Sequence, residues 1–183
     1  TRWSITAVDS MLSLNLLEKV KEFPLVNEHR VYETTALDNR WFVLMIPDNW
    51  SYELIEAWYP KTVWNLEGLN TVIYSSHEFF DGRNSYAEIG GCYYAARLAV
   101  TELLTKKRRQ ASVVIFRESH PGYILPVGVW NVREHVRHAL RSNPTKFNTL
   151  KEALSHVFSG LDIPQKNWFA NSKVLQNLKR HTK

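Results

Sequence analysis

The chain has 183 residues, 44% apolar and 22% charged, a globular composition that excludes a disordered or low-complexity protein. That length suits one domain with its own core, and no apolar run approaches the roughly 18 residues of a membrane-spanning helix. The formal charge of +5 is uneven: Lys106, Lys107, Arg108 and Arg109 supply +4 and Lys173, Lys179, Arg180 and Lys183 another +4, so two basic patches sit on a body carrying −3.

Taken in chain order, Arg2 to Val8 alternates Trp3, Ile5 and Ala7 with Arg2, Ser4 and Thr6, which predicts a half-buried strand. Asp9 or Ser10 then caps a helix carrying Leu12, Leu16, Val20 and Phe23, and Pro24 ends it. His29 to Leu37 and Arg40 to Ile46 flank Asp38-Asn39 as a hairpin, with a turn at Pro47, Asp48 and Asn49. Tyr52 to Tyr59 alternates enough to read as a strand closed by Pro60, although its Glu and Ala also permit helix. Thr71 to Phe80 is a further strand, followed by a turn at Asp81-Gly82.

A long helix comes next. Ser85 and Glu88 have the spacing of a capping box, and Ile89, Tyr93, Ala96 and Val100 give it an apolar face. Gly90 and Gly91 fall inside that helix and imply a close approach to its backbone, by another element or by a ligand. The cations at 106–109 close it, where positive charge suits the helix dipole. Ala111 to Phe116 is short, apolar and β-branched, a central strand. Pro121-Gly122 turns the chain, and Pro126 places the extended piece Tyr123 to Val129 near a sheet edge. Trp130 to Leu140 is a helix, Thr149 and Glu152 form a second capping box, and a last helix covers about 166–180. The expected architecture is an α+β domain spanning 1–183. It has a mostly antiparallel sheet and the central helix on one face within 1–130, and a helical flank in 131–183.

Several residues carry candidate chemistry. Glu118 and His120, just past the central strand, have the types of a general base and acid, with Asp9 a third candidate; pairing with an arginine is the ordinary alternative for Glu118. Arg133, Arg137 and Arg141 lie four apart and project from one helical face, each able to grip a phosphate or to pair with nearby acids. Arg83 and Tyr86 stand before the central helix, where free N–H groups favour an anion. His77, Glu78 and Asp81 lack the zincin spacing, and His135 with His138 needs a third ligand such as His120, so no metal site is expected. Cys92 alone permits no disulfide within the chain and suits a reducing cytoplasm.

The stretches TRWSITAVD (1–9), IEAWYP (55–60), YAEIGGCYYAARLAV (86–100), RRQASVVIFRESHPGYILPVGVWNVRE (108–134) and the region 149–157 resemble the C-terminal domain of archaeal Nre proteins, over essentially the whole chain. The resemblance implies a DNA-repair protein answering damage such as crosslinks. It places zinc in a Cys-rich segment of an upstream half, so no cofactor is expected in this chain, which starts at Thr1 without Met and is expected to be cut from a longer protein. Some family members end in a sliding-clamp motif; Gln176 is followed by Lys179 and by no aromatic pair, so the clamp and other repair factors are expected partners only through regions outside this sequence.

Three functions compete at this stage. The first is a repair domain contacting DNA or a nucleotide-like phosphate ligand through Arg2, Arg83, Tyr86, Arg97, Arg117, the 106–109 run and the arginines at 133, 137 and 141. The second is an enzyme acting on a nucleotide or phosphodiester, for which Arg2, Arg83, Tyr86, Arg97 and Arg117 would meet Thr6, Asp9, Glu56 and Glu118 in one pocket. The third is a platform that recruits repair proteins through exposed Trp and Tyr. DNA is the expected partner in the first, a cytoplasmic location is expected in all, and no membrane in any.

Overall fold

A computed structural model describes residues 2–124 and 127–181, with the side chains of 4–124 and 127–179. Its strands are β1 (His29–Ala36), β2 (Asn39–Ile46), β3 (Ser51–Trp58), β4 (Val72–Glu78), β5 (Ser112–Ser119) and β6 (Thr145–Phe147). They form one sheet in the order β4-β3-β5-β2-β1-β6. Only β3 and β5 run parallel; the other neighbours are antiparallel, as the sequence predicts. The helices are α1 (Arg2–Val20), α2 (Gly91–Lys107), α3 (Gly128–Arg141), α4 (Leu150–Ser159), α5 (Gln165–Asn171) and α6 (Lys173–His181).

β5 is buried along its whole length because both faces of the sheet are covered. Val113 and Ile115 pack with residues of α1, α2 and α3, while Val114 and Phe116 pack with residues of α4, α5 and α6. The C-terminal helices therefore cover the second face rather than a flank, and α3 joins the first face beside α2.

α1 departs most from expectation: Arg2 to Val8 is the first part of a helix, not a strand, and Asp9 and Ser10 lie inside it. Its buried residues are Thr6, Asp9, Ser13, Leu17 and Val20, at helical spacing, whereas Ile5, Val8, Met11 and Leu12 are exposed. The inward stripe is polar because it meets arginines. Arg97 donates to Ser13 Oγ (3.0 Å) and Ser10 Oγ (3.3 Å), and Arg133 donates to Asp9 Oδ1 (2.6 Å). A polar inner face hides the apolar period that would mark an amphipathic helix.

Other corrections have equally local causes. α2 begins at Gly91, not at Ser85, because Arg83 donates to the carbonyls of His77, Ser85 and Tyr86 and to the Glu88 carboxylate. Glu88 also accepts from Ser76 Oγ at 2.6 Å; with Arg83 this holds its carboxyl at about 2, and nothing of it is left for a capping box. The 166–180 segment is two helices because buried Ser172 accepts from Leu175 N (3.0 Å) and donates to Glu53. Glu53 also accepts from Lys173 N and Val174 N, capping α6; burial raises its carboxyl above the usual range. The hairpin turn falls on Leu37 and Asp38, both at positive φ (49° and 53°), one residue earlier than the sequence suggests. The capping box at Thr149 and Glu152 is present as expected. The extended piece expected over Tyr123 to Val129 is not a strand in its described part, and Pro126 lies outside the described residues.

A buried ion pair locks α2 to the sheet edge. Arg97 donates to Glu78 at 2.6 Å, and Glu78 also accepts from Trp50 Nε1 (2.9 Å) and the Tyr93 hydroxyl (2.7 Å). Removing one partner of such a pair strands the other charge, at a cost of about 3–5 kcal/mol. Arg97→Met is expected to lower the urea midpoint by the equivalent of that loss, and adding Glu78→Gln to restore much of it. A double variant no more stable than the single one would show that the pair itself is not the source of the effect.

Candidate functional site

Helices α1, α2 and α3 run in one direction. Thr6 meets Gly91 and Ser13 meets Arg97 along α1 and α2; Gly91 meets Val129 and Glu102 meets Arg137 along α2 and α3. Their N-terminal ends gather beyond the C-terminal ends of the parallel strands β3 and β5, where open α/β sheets commonly place ligands. A cavity of about 990 Å³ opens there, with Thr6, Asp9, Tyr86, Arg117, Trp130 and Arg133 in its wall. Gly91 permits the convergence, since a Cβ on it would lie 2.6 Å from Val129 Cγ1 and 2.8 Å from Thr6 Oγ1. Gly90 supplies a φ of 69° just before the helix. The close approach expected at these glycines is made at Gly91 alone, by neighbouring helices; Gly90 has no atom nearer than Tyr86 Oη at 3.9 Å and serves the backbone turn.

Arg117 forms the cavity floor and is 1% exposed. Its Nη1 donates to Glu56 Oε1 (2.8 Å) and its Nε to Asn39 Oδ1 (2.9 Å). The guanidinium lies among the rings of Trp41, Trp58 and Tyr123, at 4.7, 4.5 and 5.2 Å from their centroids. Its Nη2 has no hydrogen-bond partner. On the wall, Asp9 accepts from Arg133 through Oδ1 only and its Oδ2 has no hydrogen-bond partner; Arg133 Nε makes no hydrogen bond and lies 3.6 Å from Glu134 Oε1. Asn131 and Trp41, one contact away, each contribute another unpartnered buried atom. Buried polar groups are normally satisfied, so this concentration marks a place that water or a ligand completes. Among the described residues neither α2 nor α3 has a side-chain cap or an acid in its first turn, and helix N-termini of that kind favour an anion.

At the opposite ends of α2 and α3 a smaller hollow of about 380 Å³ is lined by Lys106, Lys107, Arg137 and Arg141. The structure thus brings Lys106 and Lys107 of the 106–109 run and Arg137 and Arg141 of α3 to one lip, whereas Arg133 stands in the wall of the larger cavity. Arg137 is held there by Glu102 (2.6 and 2.8 Å) and Glu134 (2.7 Å), which raise its pKa, Glu102 most. Lys106, Lys107 and Arg141 make no ion pair among the described residues. Arg108 lies over Phe23 at 5.4 Å, and Arg109 donates to the Arg108 carbonyl.

The remaining candidates are dispersed. Arg83 and Arg97 serve the framework through Glu88 and Glu78, and only the backbone of Arg2 is described. Glu118 points to the other face of the sheet, where Asp162 N and Ile163 N donate to it and burial raises its carboxyl. His120 Nε2 lies 3.0 Å from Glu118 Oε1, and with Asp162 these residues bring ligand-type atoms within 4.8 Å of one another. Asp162, however, is already paired with Arg40 at 2.7 Å. Asp9 is thus apart from Glu118 and His120, and the three do not form one acid–base site. His135 bonds the Asn131 carbonyl and stacks on Trp41, while His138 is exposed, so the two do not share a ligand position. Sequence reasoning did not find Trp64, Tyr123 or Trp130 as parts of the cavity; no local period marks aromatics from three separate loops and helix starts.

The family description "Archaeal Nre, N-terminal" matches residues 1–65 and "Archaeal Nre, C-terminal" matches residues 78–183. The chain is 39% identical over 182 residues to DNA repair protein NreB of Archaeoglobus fulgidus, covering 100% of this chain and 46% of that protein. DNA repair protein NreA of the same organism is 35% identical over 93% of this chain and 42% of its own length. NreA of Haloferax volcanii is 36% identical over 89% of this chain and 39% of its own length. The chain spans less than half the length of these relatives. No solved structure matches it. The two matched segments correct the expectation of a C-terminal domain alone. Their strands interleave, β5 of the second segment lying between β3 and β2 of the first.

Cys92, in the cavity wall, reports on how tightly that wall is packed. Burial pushes its thiol up to about 12 from an ordinary value near 9. At pH 8 only about one molecule in ten thousand would then carry the reactive thiolate. A disulfide-exchange reagent is expected to label the folded chain at least a hundredfold more slowly than the denatured one, with the rate rising about tenfold per pH unit up to pH 10. Labelling at the rate of a free thiol at pH 8 would show an open wall.

Proposed function

The chain belongs to the archaeal Nre family, and on that premise we propose that it works in DNA repair and contacts DNA through the basic lip where α2 and α3 end. The observation that carries this reading is the meeting of Lys106, Lys107 and Arg141 around one hollow with no carboxylate assigned to them, beside exposed Arg108 and Arg109. Cations at helix C-termini also have a plain electrostatic role, because they balance the negative end of the dipole. Three from two helices facing a shared hollow go beyond what that balance needs. Flexible lysines suit sequence-independent phosphate contact, which agrees with a repair protein that meets damage in any sequence.

Phosphate contact releases counterions, so the logarithm of affinity falls with the logarithm of salt by about 0.9 per phosphate on duplex DNA. The combined variant Lys106→Ala, Lys107→Ala, Arg141→Ala is expected to bind duplex DNA more weakly at low salt and to flatten that slope by about 2–3. Fluorescence anisotropy across a salt series measures both quantities. An unchanged slope in the triple variant would remove the lip from the account.

A further inference from the structure

We propose that the cavity at the N-terminal ends of α1, α2 and α3 takes a single nucleotide swung out of a strand, a site separate from the basic lip. The assignment stands on what the cavity leaves unsatisfied. Arg117 Nη2 is a buried donor without an acceptor, and Asp9 Oδ2 is a buried acceptor without a donor. A nucleobase carries both donors and acceptors and can use both kinds of atom, whereas a bare anion would use only the donor. The fixed charges agree, because Arg117 is neutralised by Glu56 and Arg133 by Asp9. No net cation remains to favour a polyphosphate.

The wall supplies the other half of the recognition. Tyr86, Trp64 and Trp130 line the cavity with half or more of their surface exposed, and Tyr123 closes over the Arg117 guanidinium. Large aromatics left open around a polar floor are stacking surfaces for a planar ring. The phosphate of the same nucleotide has its place at the uncapped starts of α2 and α3, where N–H groups and aligned dipoles favour a negative charge. A volume of about 990 Å³ is ample for one nucleotide with its flanking phosphates. The DNA reading above supplies the source of the nucleotide; the chemistry of the pocket is independent of it.

The test is calorimetric titration of the chain with each of the four deoxynucleoside monophosphates and, separately, with inorganic phosphate. At least one monophosphate is expected to bind one to one, at least tenfold tighter than phosphate. Asp9→Asn keeps the shape but turns the free acceptor into a donor, and Trp130→Ala removes an exposed ring; each is expected to weaken that binding at least tenfold, Asp9→Asn with a lowered urea midpoint because Arg133 loses its counter-ion, Trp130→Ala with a midpoint near that of the parent. The triple lip variant is expected to bind the mononucleotide normally. Equal affinity for phosphate and nucleotides would overturn base recognition, and no saturable binding by any monophosphate would overturn the site. Loss of binding in the lip variant alone would move the nucleotide to the lip. A flat salt slope with mononucleotide binding intact would remove the DNA reading and keep the pocket.

Discussion

The fold is organised around one buried guanidinium. Arg117 stands on the central strand β5, inside a layer of aromatic rings, and reaches Glu56 on β3 and Asn39 on β2. It therefore ties together three of the four interior strands at the end of the sheet where the cavity lies. A buried ion is costly unless it is paired and hydrogen-bonded, and a well-packed apolar core would stabilise the sheet at least as well. The arrangement also leaves one guanidinium nitrogen unused. A group that is costly to bury and incompletely satisfied fits recognition better than packing.

The same strand explains how the two family segments relate. β1, β2 and β3 come from the first matched segment, but β2 and β3 do not touch; β5, from the second, fills the gap between them. Without β5 the first segment would expose unpaired strand edges at the middle of the sheet, and without β2 and β3 the second would have a solitary strand there. The paired backbone groups thus bind the segments into one sheet, and the cavity is built from both: Asp9 and Trp64 from one side, Tyr86, Arg117 and Trp130 from the other.

The sequence was most legible where one physical signal dominates. The β1–β2 hairpin, the apolar first half of β5 and the Thr149 capping box each follow from a local pattern, the hairpin turn and the strand bounds being displaced by one to three residues. It was least legible where arginines override local preference. α1 reads as a strand because its inner face is polar: Ser13 and Asp9 serve Arg97 and Arg133, and Thr6 lies against Gly91. α2 starts six residues beyond its apparent cap because Arg83 and Ser76 had taken Glu88. The arginines were rightly singled out, but five of them have carboxylate partners far away in sequence or one turn off, and no spacing rule reveals which. The hollow at the lip joins residues about thirty positions apart, which only the parallel course of α2 and α3 brings together.

That parallel course sets a dimension for anything that uses both ends. Three aligned helices direct their positive ends at the cavity and their negative ends toward the cationic lip, so the charged side chains and the backbone dipoles are arranged in opposition. α2 has 17 residues, and at a rise of about 1.5 Å each it separates the two places by about 25 Å. Phosphates of one strand advance about 3.4 Å per nucleotide along the axis of a duplex, so that separation corresponds to about seven nucleotides of duplex length. A mononucleotide can occupy the cavity or the lip but not both. On the DNA contact and the nucleotide site proposed above, a strand lying along α2 with its phosphates at the lip would place one unit, about seven positions away, among the rings, where the helix starts would meet its phosphate.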